Sequence, residues 1–217
     1  LDGIDLSLIR SDGENYSKEI MNYFQPYSKE LKNKLYKVIQ MGYLSNPKIT
    51  SELSIEYSRT IQYFIELNKK YKIDVIGLHG QTLFHDEKTK ISIQLFDKNL
   101  KINKPIPVIC NFRKNDLLNG GFGAPIMPIY HQLIHQQLKK KNSVFVNIGG
   151  VTNITIINKE GIFAGDTSFG NALVNDLIKK KFNFEMDEDG YISSQGLVND
   201  SIIDLILSDQ FFSRPLP

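Results

Sequence analysis

Apolar and polar positions change period several times along the chain, and each change predicts an element. Over residues 1–10, Ile4, Leu6 and Leu8 fall on every second position, the mark of a half-buried strand. Ser11-Asp12-Gly13-Glu14 reads as a turn, and residues 16–23 as a returning partner strand. Residues 26–39 carry Tyr27, Leu31, Leu35 and Val38 at helical spacing. Residues 49–68 predict a longer helix, with Leu53, Tyr57, Ile61, Phe64 and Ile65 on one stripe and Thr50 or Ser51 as cap. The short apolar runs 73–78, 91–96 and 106–110 predict buried strands. Residues 128–138 read as a helix. Residues 143–148 and 151–157 flank Gly149-Gly150 as a β-hairpin, and helices follow over 172–182 and 197–207.

Strand, hairpin and helix patterns thus alternate twice, which predicts an α/β protein of two related lobes, residues 1–142 and 143–217, the second incomplete. Composition alters this picture little. The 217 residues are 41% hydrophobic and 23% charged, with a net charge of +2, as in an ordinary globular protein. The lysine runs 139–141 and 179–181 each close a predicted helix, where cations suit the C-terminal dipole. No basic stripe with interleaved aromatics argues for nucleic acid. Cys110 is the only cysteine, which excludes an intrachain disulfide and a cysteine metal cluster; within Pro-Val-Ile-Cys it reads as a small buried hydrophobe and fits a reducing cytoplasm. No apolar run approaches the roughly 18 residues of a membrane span, and no signal-peptide pattern opens the chain. The chain starts at Leu-Asp-Gly-Ile-Asp within a strand and stops at Arg-Pro-Leu-Pro, so a fragment of a longer protein is expected.

Five stretches carry chemistry. In residues 1–5, Asp2 and Asp5 flank a strand start, where an acid beside a glycine can orient hydrated magnesium while backbone N–H groups meet phosphate; a plain Asp-Gly turn is the alternative. Leu78-His79-Gly80-Gln81-Thr82 lies beyond the carboxyl end of a strand, where ligands gather in α/β sheets. His79, Gln81 and Thr82 offer donors and acceptors for sugar hydroxyls or phosphate, or form only a polar loop. Residues 111–125 place Arg113 and Lys114 beside Asp116, then Gly120, Gly121 and Gly123. Neighbouring cations keep an acid ionised, as a general base requires, and glycines admit a ligand close to backbone; a surface ion pair beside a flexible turn is the alternative. Residues 147–153 bracket Gly149-Gly150 with Asn147 and Asn153, either a phosphate cradle or a tight hairpin. Residues 165–171, with Asp166, Thr167, Gly170 and Asn171, are expected to open the following helix as a second phosphate-adjacent site, unless Asp166 only caps it. Asp187-Glu188-Asp189-Gly190 reads as a solvated turn and not a cation loop. His131 and His135, at zinc-compatible i, i+4 spacing, read as a helix flank because no third ligand is evident.

In this order the stretches LDGID, IGLHGQT, SIQLFD, PVICNFRKNDLLNGGFGAP, NIGGVTNIT and GDTSFGNALVND resemble the anhydro-N-acetylmuramic acid kinase family, over nearly the whole chain. The resemblance implies two RNase-H-like lobes of the actin/Hsp70/sugar-kinase type with ATP and Mg2+ in the cleft. It implies phosphorylation of the 6-hydroxyl of 1,6-anhydro-N-acetylmuramic acid while water opens the anhydro bridge, in peptidoglycan recycling and amino-sugar metabolism. Leu1, Asp2, Gly3 and Asp5 then match the end of the first phosphate loop, with Asp2 facing magnesium through water. Asn147, Gly149, Gly150 and Asn153 match the second phosphate loop, and Asp166, Thr167, Gly170 and Asn171 the segment beside it. His79, Gln81, Thr82, Arg113, Gly120, Gly121, Gly123, Ala124 and Pro125 match the sugar site, and Asp116 the catalytic base. The implied partners are an amino sugar and ATP, with neither nucleic acid nor membrane; a homodimer and a bacterial cytoplasmic setting accord with the family.

The chain leaves the family pattern in several places. The small-residue and threonine run before Leu-Asp-Gly is missing. Asp-Phe-Arg reads Asn111-Phe112-Arg113, Gly-Gly-Gln-Gly reads Gly-Gly-Phe122-Gly, and the loop after Asp166-Thr167 reads Ser168-Phe169-Gly170-Asn171. The chain also stops before the family's remaining second-lobe segments, so weak ATP binding is expected of it alone. These changes motivate two other readings: a non-catalytic sugar- or nucleotide-binding relative, and an actin-like structural ATPase.

Overall fold

The computed structural model describes residues 2–42, 46–97, 100–214 and 216. Its contacts form two compact units, Leu1–Ile126 and Met127–Pro217, so the helix at 128–138 groups with the strands that follow it.

In the first unit, β1 (Gly3–Ser11) and β2 (Ser17–Pro26) form an antiparallel hairpin with a bulge between Leu8 and Ile9. The Asp12 carboxylate closes the turn by accepting from the amides of Glu14, Asn15 and Tyr16 at 2.8–3.0 Å. Helix α1 (Lys29–Gln40) is capped by Ser28 and buries Leu31, Leu35 and Val38, the predicted stripe. Helix α2 (Pro47–Leu67) starts earlier than predicted. Its cap is Asn46, whose side chain accepts from Ile49 N at 3.1 Å, while Thr50 and Ser51 lie inside the helix. The physical reason is Pro47, which is preset for the first helical position and has no N–H to lose there. Ile49, Leu53, Tyr57, Ile61 and Ile65 of α2 join Ile4, the α1 stripe, Leu78 and Leu95 in one core.

A second, polar stripe on α2 accepts the backbone amides of Asp97, Lys101 and Asn103. Ser54 Oγ accepts from Asp97 N, Ser58 Oγ from Lys101 N and Gln62 Oε1 from Asn103 N, at 2.8–3.0 Å. One helix face therefore serves three backbone donors that lie outside the strands.

Strands β3 (Ile76–Gly77) and β6 (Val108–Ile109) pair in parallel over two residues each, much less than the predicted runs. Pro105 and Pro107 lack N–H groups, so the ladder does not extend towards the start of β6. Between them, β4 (Gln81–Asp86) and β5 (Ile91–Leu95) form an antiparallel hairpin. Gln81 and Thr82 thus begin a strand instead of ending a loop. Helix α3 (Phe112–Leu118) occupies a stretch for which the pattern of apolar positions predicts no element.

In the second unit, α4 (Pro128–Leu138) has the predicted bounds. Strands β7 (Ser143–Ile148), β8 (Val151–Asn158) and β9 (Gly161–Phe169) form an antiparallel meander. Strand β9 is a correction: residues 165–169 end a strand and do not open a helix. Its polar Asp166-Thr167-Ser168 and its glycines hide the alternation that marks a strand. Helix α5 (Asn171–Phe182) follows, and α6 (Asp200–Leu207) starts after its Asn199 cap, later than predicted. His131 stacks on Phe145 with centroids 4.5 Å apart and bonds Thr155 Oγ1, while His135 bonds Ser143 Oγ; both histidines dock α4 on the sheet. Asp187 accepts from Ile192 N and from Ser193 N and Oγ, closing the turn read there.

Candidate functional site

Helix α3 starts from Asn111, which sits in the left-handed region at φ 63° and makes no side-chain cap. Asparagine tolerates that conformation, and its carbonyl still opens the helix by accepting from Asn115 N at 2.9 Å. The seven residues of α3 bury Leu117 and leave Asp116 exposed one position earlier.

The chain folds back on Asp116 directly after the helix. Gly121 N donates to the Asp116 carbonyl at 2.9 Å, and Gly123 N to its carboxylate Oδ2 at 2.7 Å. A Cβ on Gly121 would collide with both oxygens of that carboxylate, so a side chain there requires the acid to move. Among the described residues no ion pair forms at Asp116: Arg113 bonds His79 and the Gly123 carbonyl, and a backbone amide holds the acid instead.

Arg113 points to the other side of this loop. Its Nε donates to His79 Nε2 and its Nη1 to the Gly123 carbonyl, both at 2.9 Å. His79 Nδ1 lies 2.8 Å from the Gly80 carbonyl. Partial burial, and then the Arg113 charge, push the His79 pKa below its ordinary value, with the Gly80 carbonyl acting in the opposite sense. Burial alone lowers that of Arg113. Gln81 Nε2 donates to the Thr82 carbonyl at 3.3 Å, and the buried Thr82 Oγ1 has no hydrogen-bond partner among the described residues. Ala124 and Pro125 close the loop through a cis peptide bond.

One residue in this group escaped sequence reasoning. Lys90, at the β4–β5 turn, donates from Nζ to the Gly121 carbonyl at 2.9 Å, and the same ammonium stands 5.7 Å from the centroid of Phe122. Phe122, where an amide side chain was expected, thus carries a cation on its face. The two partners are 31 residues apart in sequence, and nothing local marks Lys90.

The proposed first phosphate loop lies at the start of β1. Leu1 is outside the described residues. The exposed Asp2 carboxylate is 3.6 Å from Lys32 Nζ, and its carbonyl accepts from Tyr27 N. Gly3 lies against the Gln25 carbonyl with no room for a Cβ, and exposed Asp5 pairs with Phe24 across the hairpin. Among the described residues no three His, Cys, Asp or Glu side chains converge as a metal cage. Asp2 accordingly suits the one-carboxylate, mostly hydrated binding that magnesium accepts, in competition with Lys32.

In the second unit, register sets Asn147 opposite Asn153 and Asn153 opposite Asp166, a polar row across three strands on one sheet face. Thr167 Oγ1 bonds the Thr152 carbonyl at 3.4 Å. The Gly149-Gly150 turn joins the start of α5: Asn171 N donates to Gly149 O at 2.7 Å and Ala172 N to Gly150 O at 3.2 Å. Gly170 packs against those carbonyls, where a Cβ would collide with Gly149 O. The turn therefore uses its carbonyls to cap α5 through the amides of Asn171 and Ala172.

The family model described as anhydro-N-acetylmuramic acid kinase matches residues 1–217. The chain is similar to the anhydro-N-acetylmuramic acid kinase of Rhodopseudomonas palustris (strain ATCC BAA-98 / CGA009), at 31% identity covering 100% of this chain and 63% of that relative. It is 34% identical to the protein of that name from Haemophilus influenzae, over 100% of this chain and 58% of the relative. With the one from Pelagibacter ubique the identity is 34%, over 94% and 58%. The chain thus spans 58–63% of the length of these curated relatives.

Proposed function

This chain belongs to the anhydro-N-acetylmuramic acid kinase family, and we propose that the whole protein opens 1,6-anhydro-N-acetylmuramic acid with water and phosphorylates its 6-oxygen from ATP. The observation that carries this reading is Asp116: an exposed carboxylate held on one oxygen by the Gly123 amide, beside a glycine that leaves it room. In the proposed step Asp116 removes a proton from water as the water oxygen bonds the anomeric carbon. The bond from that carbon to O6 breaks, and the freed O6 takes the γ-phosphoryl group as ADP leaves. Phosphoryl transfer depends on positioning and charge neutralisation, which suits one base and several backbone loops.

The 79–82 and 120–125 stretches line the sugar site in this reading, and Asn147, Asn153, Asp166 and Thr167 the nucleotide side. Asp2 holds hydrated Mg2+, which when bound screens the phosphate charge. The parent architecture is two RNase-H-like lobes, the product N-acetylmuramic acid 6-phosphate, and the setting cell-wall recycling in a bacterial cytoplasm. No helix among the described residues is long and apolar enough to cross a membrane.

The full-length protein, given ATP, Mg2+ and the anhydro sugar, is expected to form the 6-phosphate; absence of product beside a working reference enzyme overturns the reading. Asp116→Asn keeps an oxygen for the Gly123 amide, so the fold survives while turnover falls about 10²–10⁴-fold, the usual worth of a general base. Near-normal turnover rejects Asp116 as base. The Phe122 and Asn111 departures favour one other reading, a relative that binds without reacting; calorimetric binding of sugar or nucleotide without product supports it.

A further inference from the structure

We infer that His79 and Arg113 form an internal strut, with His79 locked as its neutral Nδ1–H tautomer, that positions the 120–123 loop and through it Asp116. The argument starts from what each partner can do. The Gly80 carbonyl only accepts, so the nitrogen 2.8 Å from it, Nδ1, carries the proton. Arg113 Nε–H only donates, so Nε2, 2.9 Å away, presents its lone pair. The ring then holds one proton and is neutral; a second would set two N–H groups against each other.

From the ring the connection runs on without a gap. The same guanidinium donates through Nη1 to Gly123 O, and Gly123 N donates to Asp116 Oδ2. Arg113 and Asp116 are three residues apart on α3, hence on neighbouring positions of one face. The chain of bonds therefore joins the β3–β4 connection, the glycine loop and the carboxylate into one unit. Both nitrogens of His79 and two of the three of Arg113 are used inside the protein. Those bonds make His79 and Arg113 positioning residues for the loop. Arginine is required because its planar fork serves two acceptors in fixed directions, which a lysine ammonium cannot do. The strut itself stands on geometry; its effect on turnover rests on the kinase reading.

Long-range proton–nitrogen NMR of the 15N-labelled protein reads the tautomer directly, and only four histidines need assignment. At neutral pH His79 is expected as the Nδ1–H form; Arg113→Met frees Nε2 while the Gly80 carbonyl still accepts from Nδ1–H, so it is expected to raise the Nε2–H fraction. The His85 signal, set by Ser92, reports that the unit remains folded. Should Arg113→Met unfold, Arg113→Lys, which keeps the charge and most of the stem, is expected to raise the Nε2–H fraction. An Nε2–H or doubly protonated His79 in the unmodified protein, or a tautomer unmoved by a folded Arg113 variant, overturns the lock. In full-length protein, Arg113→Lys is expected to lower kcat about tenfold or more with KM within about threefold. A raised KM with intact kcat assigns Arg113 to direct sugar contact and overturns the positioning role. If the unmodified enzyme forms no product, the kinase reading fails, while the spectra still judge the strut.

Discussion

Gly121 and Asp116 share a space that holds one side chain. Any Cβ at 121 meets the Asp116 carboxylate, so Gly121→Ala must either rotate the acid or break the Gly123 bond that orients it. Displacing a reacting group by about 1 Å costs on the order of 10²-fold in rate; Gly121→Ala is expected to lower kcat by about that much, checked by steady-state kinetics beside thermal melting. His79 supplies a prediction in pH. Its pKa, and that of His131, lie below the ordinary 6.5 in the folded protein. As pH falls through 6.5 the unfolded chain binds protons that the folded one refuses, so stability falls with pH towards the folded pKa values. Urea unfolding between about pH 7.5 and 5.5 should show that slope, and His79→Gln should flatten it. The lowered carboxyls Glu30, Asp12, Asp86 and Asp187 act in a separate, more acidic window, below the ordinary 4.5 of Glu and 3.8 of Asp.

Helix α2 does two jobs with two stripes. Its apolar stripe was legible from spacing, because burial of every third or fourth residue leaves a local signature. Its polar stripe was not, because Ser54, Ser58 and Gln62 look like ordinary solvent positions until Asp97, Lys101 and Asn103 bring their amides to them. Ser58 is buried and accepts from Lys101 N, so Ser58→Ala strands that amide. A loss of about 0.5–1.5 kcal/mol is expected in urea unfolding, the net worth of a typical hydrogen bond. The shift of the α2 cap to Asn46 has the same origin in reverse: Pro47 was visible, but its role as first helical residue was passed over in favour of the hydroxyls behind it.

In the second unit the β7–β9 sheet has unequal faces. Ser143, Phe145 and Thr155 meet α4 through its histidines, whereas Val144, Val146 and Ile148 stand 57–64% exposed on the other face. Substitution there removes little buried surface. Val146→Thr is expected to change the stability of this chain by no more than about 0.5 kcal/mol, the usual limit at exposed positions. Calorimetric melting checks it, and a larger fall would show that the face is covered in solution.

Helices α1, α2, α4 and α5 and the hairpins around residues 11–16 and 149–150 could be read from the chain, since periodicity and turn residues act over a few positions. The acid, the glycines and their order could be read as well, and with them the family. What the chain did not disclose depends on partners distant in sequence. The β3–β6 pair is limited by prolines on one strand only. Lys90 reaches Gly121 and Phe122 from a separate hairpin. Asp116 is oriented by an amide rather than by the cations beside it. The protonation state of His79 follows from a carbonyl and a guanidinium that converge on it only when the chain folds. Hydrogen-bond direction is a property of assembled geometry, and one-dimensional spacing carries no record of it.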